Sequence, residues 1–172
     1  MECCHPLGDT LLARRKTSTR VAEALHHHLV MGSYEVLETV ALADCALHIE
    51  GTDLDDLFAT AARALAETMV DPATIERSID RTVTLDAPSL DLLLFDWLSE
   101  IIALKDSDGA AFPEVQVRVE PGPPCRLGAH LVGGSLRSDT AERRADPKAV
   151  TFHLFRLEPS AGGWHARVVI DT

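Results

Sequence analysis

Residues 43–72 read ADCALHIEGTDLDDLFATAARALAETMVDP, and two different periods run through them. From Cys45 to Glu50 the residues alternate, with Leu47 and Ile49 on one side and Ala46, His48 and Glu50 on the other. That is the period-two pattern of a half-buried strand. Gly51 turns the chain, and Thr52 is placed to cap a helix, with Asp53, Asp55 and Asp56 favourable near its positive end. Leu54, Leu57, Phe58, Ala61, Leu65 and Met69 then recur at helical spacing until Pro72 follows the stop. A strand feeding directly into an amphipathic helix sets the fold class.

Downstream, the same alternation of elements repeats once and then gives way to strands. Ile79–Leu85 is a second strand, Pro88-Ser89 opens a second helix, and Gly109 closes it after Asp106-Ser107-Asp108. The body of that helix, LDLLLFDWLSEIIALK, is apolar nearly all round, so it is central or packs its outer side against something else. Val115, Val117 and Val119 alternate with charged and polar neighbours, as in a sheet with one wet face. Pro121-Gly122-Pro123-Pro124 is a turn, and Arg126–Val132 returns as a strand. A polar loop with Gly133-Gly134 and Arg143-Arg144 leads to Lys148, and Ala149–Leu157 with Trp164–Asp171 forms a hairpin closed by Ser160-Ala161-Gly162-Gly163. The order strand, helix, strand, helix, then four strands predicts a two-layer α+β domain. Two helices pack on one face of a mostly antiparallel or mixed sheet.

The chain of 172 residues fits one domain with a sizeable core. Residues 1–30 read differently from the remainder, with Arg14-Arg15-Lys16, a short helical stretch at Val21–Leu29 and the triplet His26-His27-His28. Their three histidines and two cysteines permit a metal site. A disordered extension, or an upstream start with Met31 as the true beginning, is the commoner reading. The expected division is therefore an extension over 1–30 and a single domain over 31–172. Without a basic-then-apolar leader or any apolar run near the ~20 residues of a membrane helix, the cytoplasm is the expected location. Cys3-Cys4, Cys45 and Cys125 form no CxxC pair, which agrees with a reducing compartment.

Charge narrows the partners. The net charge is −11, and from Met31 onward 12 basic side chains face 24 acidic ones. Such a domain is repelled by nucleic-acid phosphates, so no direct grip on RNA or DNA is expected; it attracts divalent cations or a basic protein surface. Phosphate-binding loops, HExxH and GxSxG are all absent from the sequence. Cys45 or Cys125 with His130 or His153 makes an imaginable nucleophile and base, but core or structural thiols are the commoner account. His48, His130 and His165 read as satisfied or surface histidines. Asp96 and Glu100, four apart on the second helix, form a solvated face more often than half of a cation site. Asp44 before the first strand and Asp171 at the close of the last are oxygen ligands of the type hard cations take, and Thr172 adds a terminal carboxylate. Taken alone, Asp171 also fits a frayed, solvated end.

At these residues the sequence resembles the archease family. The stretch ADCALHIEGTDLDDLFATAARALAETMVDP is similar to that family's opening. LLLFDWLSEIIALKDSDG is similar to its second helix, and Lys148–His153 (KAVTFH) followed by GGWHARVVIDT is similar to its C-terminal signature. The resemblance covers nearly all of Tyr34–Thr172. It implies a protein cofactor and not an enzyme: a small acidic activator of an RtcB-type RNA ligase in tRNA splicing and RNA repair. Such an activator promotes guanylylation of the ligase by GTP and its repeated turnover. By position, Asp44 corresponds to the family's first metal-binding aspartate, Asp171 to the second and Thr172 to the terminal ligand of a divalent cation, Ca²⁺ or Mg²⁺. Lys148 corresponds to a lysine associated with partner activation, and His153 ends the same segment. The chain departs from the pattern at Ala41-Leu42-Ala43-Asp44, where the family has His-Thr-Ala-Asp, at Arg143-Arg144 in place of Arg-His, and at Phe152 in place of Tyr. The alternative is a chaperone-like modulator of an RNA-modifying enzyme with no metal role. Register matters for His153: it shares a face with Asp171 only if the hairpin pairing sums to an even number.

Overall fold

The computed structural model describes residues 32–41 and 44–172, with the side chains of 37–41 and 44 outside that description. The expectations for residues 1–30 lie outside the described residues. Seven strands and two helices follow in the order β1 (Ser33–Ala41), β2 (Asp44–Gly51), α1 (Leu54–Met69), β3 (Ile79–Ala87), α2 (Leu90–Asp108), β4 (Ala110–Glu120), β5 (Cys125–Ser135), β6 (Ala149–Ser160) and β7 (Gly163–Asp171). A single 3-10 turn at Pro72–Thr74 follows α1.

The α+β class and the two helices are as expected, but the strands divide into two sheets. One has the order β1-β2-β7-β6 and the other β3-β5-β4, and every described pairing is antiparallel. The sequence reading missed β1, an edge strand whose register breaks between Leu37 and Ala41. Such a break destroys the clean alternation by which an isolated strand is recognised.

Helix α1 begins one residue later than its sequence signals indicate. Asp53 is the cap, and its carboxylate accepts the Asp56 amide at 2.9 Å. Thr52 instead donates its amide and its hydroxyl to Asp56 Oδ2, at 3.0 and 3.1 Å. The Gly32 amide donates to the other oxygen of the same carboxylate. Burial alone would push the Asp56 carboxyl up; these hydrogen bonds and Arg63 outweigh it and hold the group below the usual carboxylate range. Gly51 makes the turn feasible, because a Cβ there would stand 2.4 Å from the Leu57 amide nitrogen.

Each helix touches strands of both sheets: α1 lies chiefly on β2 and β4, and α2 on β3 and β6. The core between them is filled by Leu47 and Ile49 of β2, Phe58 and Leu65 of α1, Trp97 and Ile101 of α2, and Val168 and Ile170 of β7. Trp97 is fully buried and donates its indole N–H to the Phe58 carbonyl at 3.1 Å, which fixes one helix on the other. The all-round apolarity of α2 has a structural cause. One side faces the core, and Phe95 on another stacks on Phe152 of β6 at 4.0 Å between ring centroids.

Two substitutions test this frame by chemical denaturation. Trp97→Ala is expected to cost about 3–5 kcal/mol. Gly51→Ala, which forces a methyl onto the α1 backbone, is expected to cost about 1–3 kcal/mol; a Gly51→Ala protein as stable as wild type would contradict the close approach described.

Candidate functional site

The acidic end of the first sheet is built by register. β2 and β7 are its two central strands, and their ladder pairs Asp44 directly with Asp171. On the other side of β7, Asp171 pairs with Ala149, and the Lys148 amide donates to the Asp171 carbonyl at 2.8 Å. Ile170 points into the core, so Asp171 falls on the outer face, where it is exposed. The structure thus brings Asp44, Lys148, Asp171 and the adjoining Thr172, 128 residues apart at the extremes, to one sheet end.

His153 is placed differently. Ala149–Thr151 pair with Val169–Asp171 in the even register, but the next paired residue of β6 is Arg156, opposite Arg167. Residues 152–155 therefore bulge out against Val168 alone. His153 is exposed within that bulge and has no ladder partner, and the following Leu154 takes a left-handed backbone with φ 56°. The described contacts do not bring His153 to Asp171.

The loop that delivers Lys148 is pinned from behind by a residue the sequence reading passed over. Lys105 of α2 is only 8% exposed, and its ammonium donates to Asp146 Oδ1 at 2.6 Å and to the Pro147 carbonyl at 2.8 Å. Asp106 stands 2.9 Å away. Burial alone would push this ammonium down, but the hydrogen bonds and charges of Asp146 and Asp106 together hold it above its ordinary value. The same hydrogen bond and charge hold the Asp146 carboxyl below the usual range. The signal was available in the sequence: Lys105 continues the stripe Trp97, Leu98, Ile101, Ile102 that α2 buries. The loop is also stitched to α1, with the Arg144 and Ala145 amides on the Met69 and Thr68 carbonyls and the Arg144 guanidinium on the Glu67 carbonyl.

Further along the outer face, His48 pairs with Arg167 and Glu50 with His165, and the two imidazole rings meet edge to face at 5.6 Å. His48 Nε2, Arg167 Nε and Thr151 Oγ1 are buried without a hydrogen-bond partner among the described residues. Cys125 is a buried free thiol. Among the described residues, no three His, Cys, Asp or Glu side chains are gathered as a metal cluster. No described helix is long and apolar enough to cross a membrane.

The comparisons with known proteins decide the family. The model of the Archease protein family matches residues 34–172. The chain belongs to the archease family. It is 33% identical over 129 residues to the archease of Archaeoglobus fulgidus, covering 75% of this chain and 93% of that one. It is 34% identical over 141 residues to the archease of Methanosarcina mazei, covering 80% and 94%. Its fold is similar to the solution structure of Methanobacterium thermoautotrophicum protein 1598, with a TM-score of 0.67 and 28% identity over 81% of this chain and 98% of that one. The crystal structure of a Thermotoga maritima archease, described as a possible chaperone, shares the fold at a TM-score of 0.54 and 22% identity over 77% and 93% of the two chains. Membership in this family agrees with an accessory protein and not an enzyme.

The Lys105–Asp146 link gives a pH-dependent prediction. Because the folded Asp146 pKa is depressed, its stabilisation is present above the unfolded carboxylate pKa of about 4 and is lost as pH falls through the folded value. Because the folded Lys105 pKa is raised, its share is complete below the unfolded lysine pKa of about 10.4 and is lost as pH rises through the folded value. Asp146 is 73% exposed, so solvent screening reduces the ion pair, and Lys105→Met is expected to cost about 2 kcal/mol at neutral pH. Denaturant melts of Asp146→Asn against wild type should differ at pH 7 and converge below about pH 4; a constant difference across that range would contradict the assignment.

Proposed function

We propose that this chain is a metal-binding protein cofactor that activates an RtcB-type RNA ligase in the cytoplasm, promoting guanylylation of the ligase and its multiple turnover in tRNA splicing or RNA repair. The observation that carries this reading is the ladder pairing of Asp44 with Asp171, with the Lys148 amide on the Asp171 carbonyl. Two acidic residues set opposite each other weaken a ladder by roughly 0.2–1 kcal/mol. An arrangement that costs stability in a family-matched domain fits a site selected for a cation.

The donor set fits Ca²⁺ or Mg²⁺, hard cations that take carboxylate and carbonyl oxygens. Asp44, Asp171 and the Thr172 carboxylate would hold the ion, which would neutralise triphosphate charge on the partner while a nucleotide is transferred. The chain's own residues have separate tasks. Asp171 offers its carboxylate on the outer face of the sheet, and Lys148 offers an exposed ammonium that can steady a phosphate or an acidic group of the ligase. Lys105 keeps the loop that carries Lys148 in place. His153 and Phe152, exposed on the neighbouring bulge, would meet the partner beside this end of the sheet.

A chaperone-like modulator without a metal role is the second reading, favoured by the description of the Thermotoga maritima archease as a possible chaperone. Thermal melting separates the two. A cation that binds only the folded state at 100 times its Kd adds about 2.7 kcal/mol, a rise of roughly 5–10 °C for a chain of this size. Absence of any shift in millimolar Ca²⁺ or Mg²⁺ would favour the chaperone. In a purified guanylylation assay, Asp171→Ala is expected to slow ligase loading by at least about tenfold. Loading at the wild-type rate would sink the activator mechanism.

A further inference from the structure

Where the loop after β5 meets the C-terminal ends of α1 and α2 lies a concavity of about 450 Å³. Its lining includes Lys105, Arg137, Arg143 and Arg144 as cations, with Asp106 and Asp146 as the acids. In a chain of net charge −11 a local excess of positive groups is out of keeping with the whole. Both acids are already engaged on Lys105, at 2.9 and 2.6 Å. The Arg144 guanidinium is on the Glu67 carbonyl and 3.4 Å from Asp71. Arg137 and Arg143 differ: their guanidinium groups make no hydrogen bond or ion pair with any described residue.

Helix geometry accounts for part of this. The C-terminal ends of helices attract cations, α1 has no basic residue in its last turn, and Arg144 supplies one from outside. Arg137 lies across the other end, its Nε 3.2 Å from where a Cβ on Gly109 would stand. Gly109 has the left-handed backbone of a helix C-cap, so this end stays open for the guanidinium. What the helix ends do not explain is two arginines with unused donors opening on one concavity of ligand size, when 27 carboxylates were available to pair with them.

We propose that this concavity is an anion site for a phosphate group, bound by the forked donors of Arg137 and Arg143. Planar guanidinium groups present paired N–H donors that match phosphate oxygens, which is where arginine outperforms lysine. A free phosphate and the phosphate of a mononucleotide offer the same chemistry to these donors. The ligand would bridge the loop to both helix ends and so stiffen the segment that carries Lys148. This site shares no ligand residue with the Asp44–Asp171 end, and the inference stands whether or not the cation reading holds.

Calorimetric titration of the full chain in metal-free buffer, with pyrophosphate and with ADP as probes, tests it. Wild type is expected to bind saturably, more weakly as salt rises. The double variant Arg137→Ala/Arg143→Ala should bind at least about tenfold more weakly with unchanged melting, and Arg137→Lys/Arg143→Lys should recover only part of the loss. Arg156→Ala, which removes one positive charge from β6, and Asp171→Ala should bind like wild type. Tighter binding of ADP identifies a nucleotide as the source, and equal binding identifies the phosphate alone. No saturable binding at millimolar probe, an unaffected double variant, or an equal loss in Arg156→Ala would each overturn the proposal.

Discussion

A single buried ammonium ties the C-terminal end of α2 to the loop that leads into β6. Lys105 sits near the end of α2, on the stripe that the helix otherwise fills with Trp97, Leu98, Ile101 and Ile102. Its charge cannot remain there unpartnered, because an isolated buried cation is far costlier than any apolar residue in its place. The chain therefore brings Asp146 and the Pro147 carbonyl to it. That demand fixes the long loop after β5, and Lys148 follows one residue later, with its amide on Asp171. One polar requirement in the core thus sets the position of an exposed sheet end.

The elements with a strong local period were legible in the sequence. Both helices, the alternation of β4 and the closing hairpin follow from spacing and from Gly109, Pro72 and the Ser160–Gly163 turn. The division into two sheets was not, because an alternating strand records that one face is buried and not which neighbour it pairs with. The cap of α1 slipped from Thr52 to Asp53 since both can accept a backbone amide, and the choice depends on Asp56 being needed by Gly32 and Thr52. Asp44 and Asp171 were named from their positions at strand ends and from the family resemblance. Their pairing across β2 and β7 is tertiary information that no local window contains.

The outer face of the first sheet differs in kind from its inner face. The inner residues Leu47, Ile49, Val168 and Ile170 close a dry core. The outer ones, His48, Arg167 and Thr151, keep buried polar atoms without described partners, while Phe152 in the β6 bulge is 58% exposed although it stacks on Phe95 of the helix layer. Unsatisfied polar atoms and exposed aromatic surface both cost stability in isolation and are recovered by contact with something else.

The bulge in β6 has a metrical role. Counted back from the Ala161-Gly162 turn, an unbroken ladder would set Phe152 opposite Asp171. The three surplus residues slide the strand past its partner, so that Ala149 takes that place and Lys148 arrives beside it. The bulge is thus a spacer that chooses which part of KAVTFH attends the acidic end. Because three is odd, it also reverses which residues of β6 face inward beyond it. Shortening this segment by one residue would leave the hairpin closed but hand Asp171 a different neighbour.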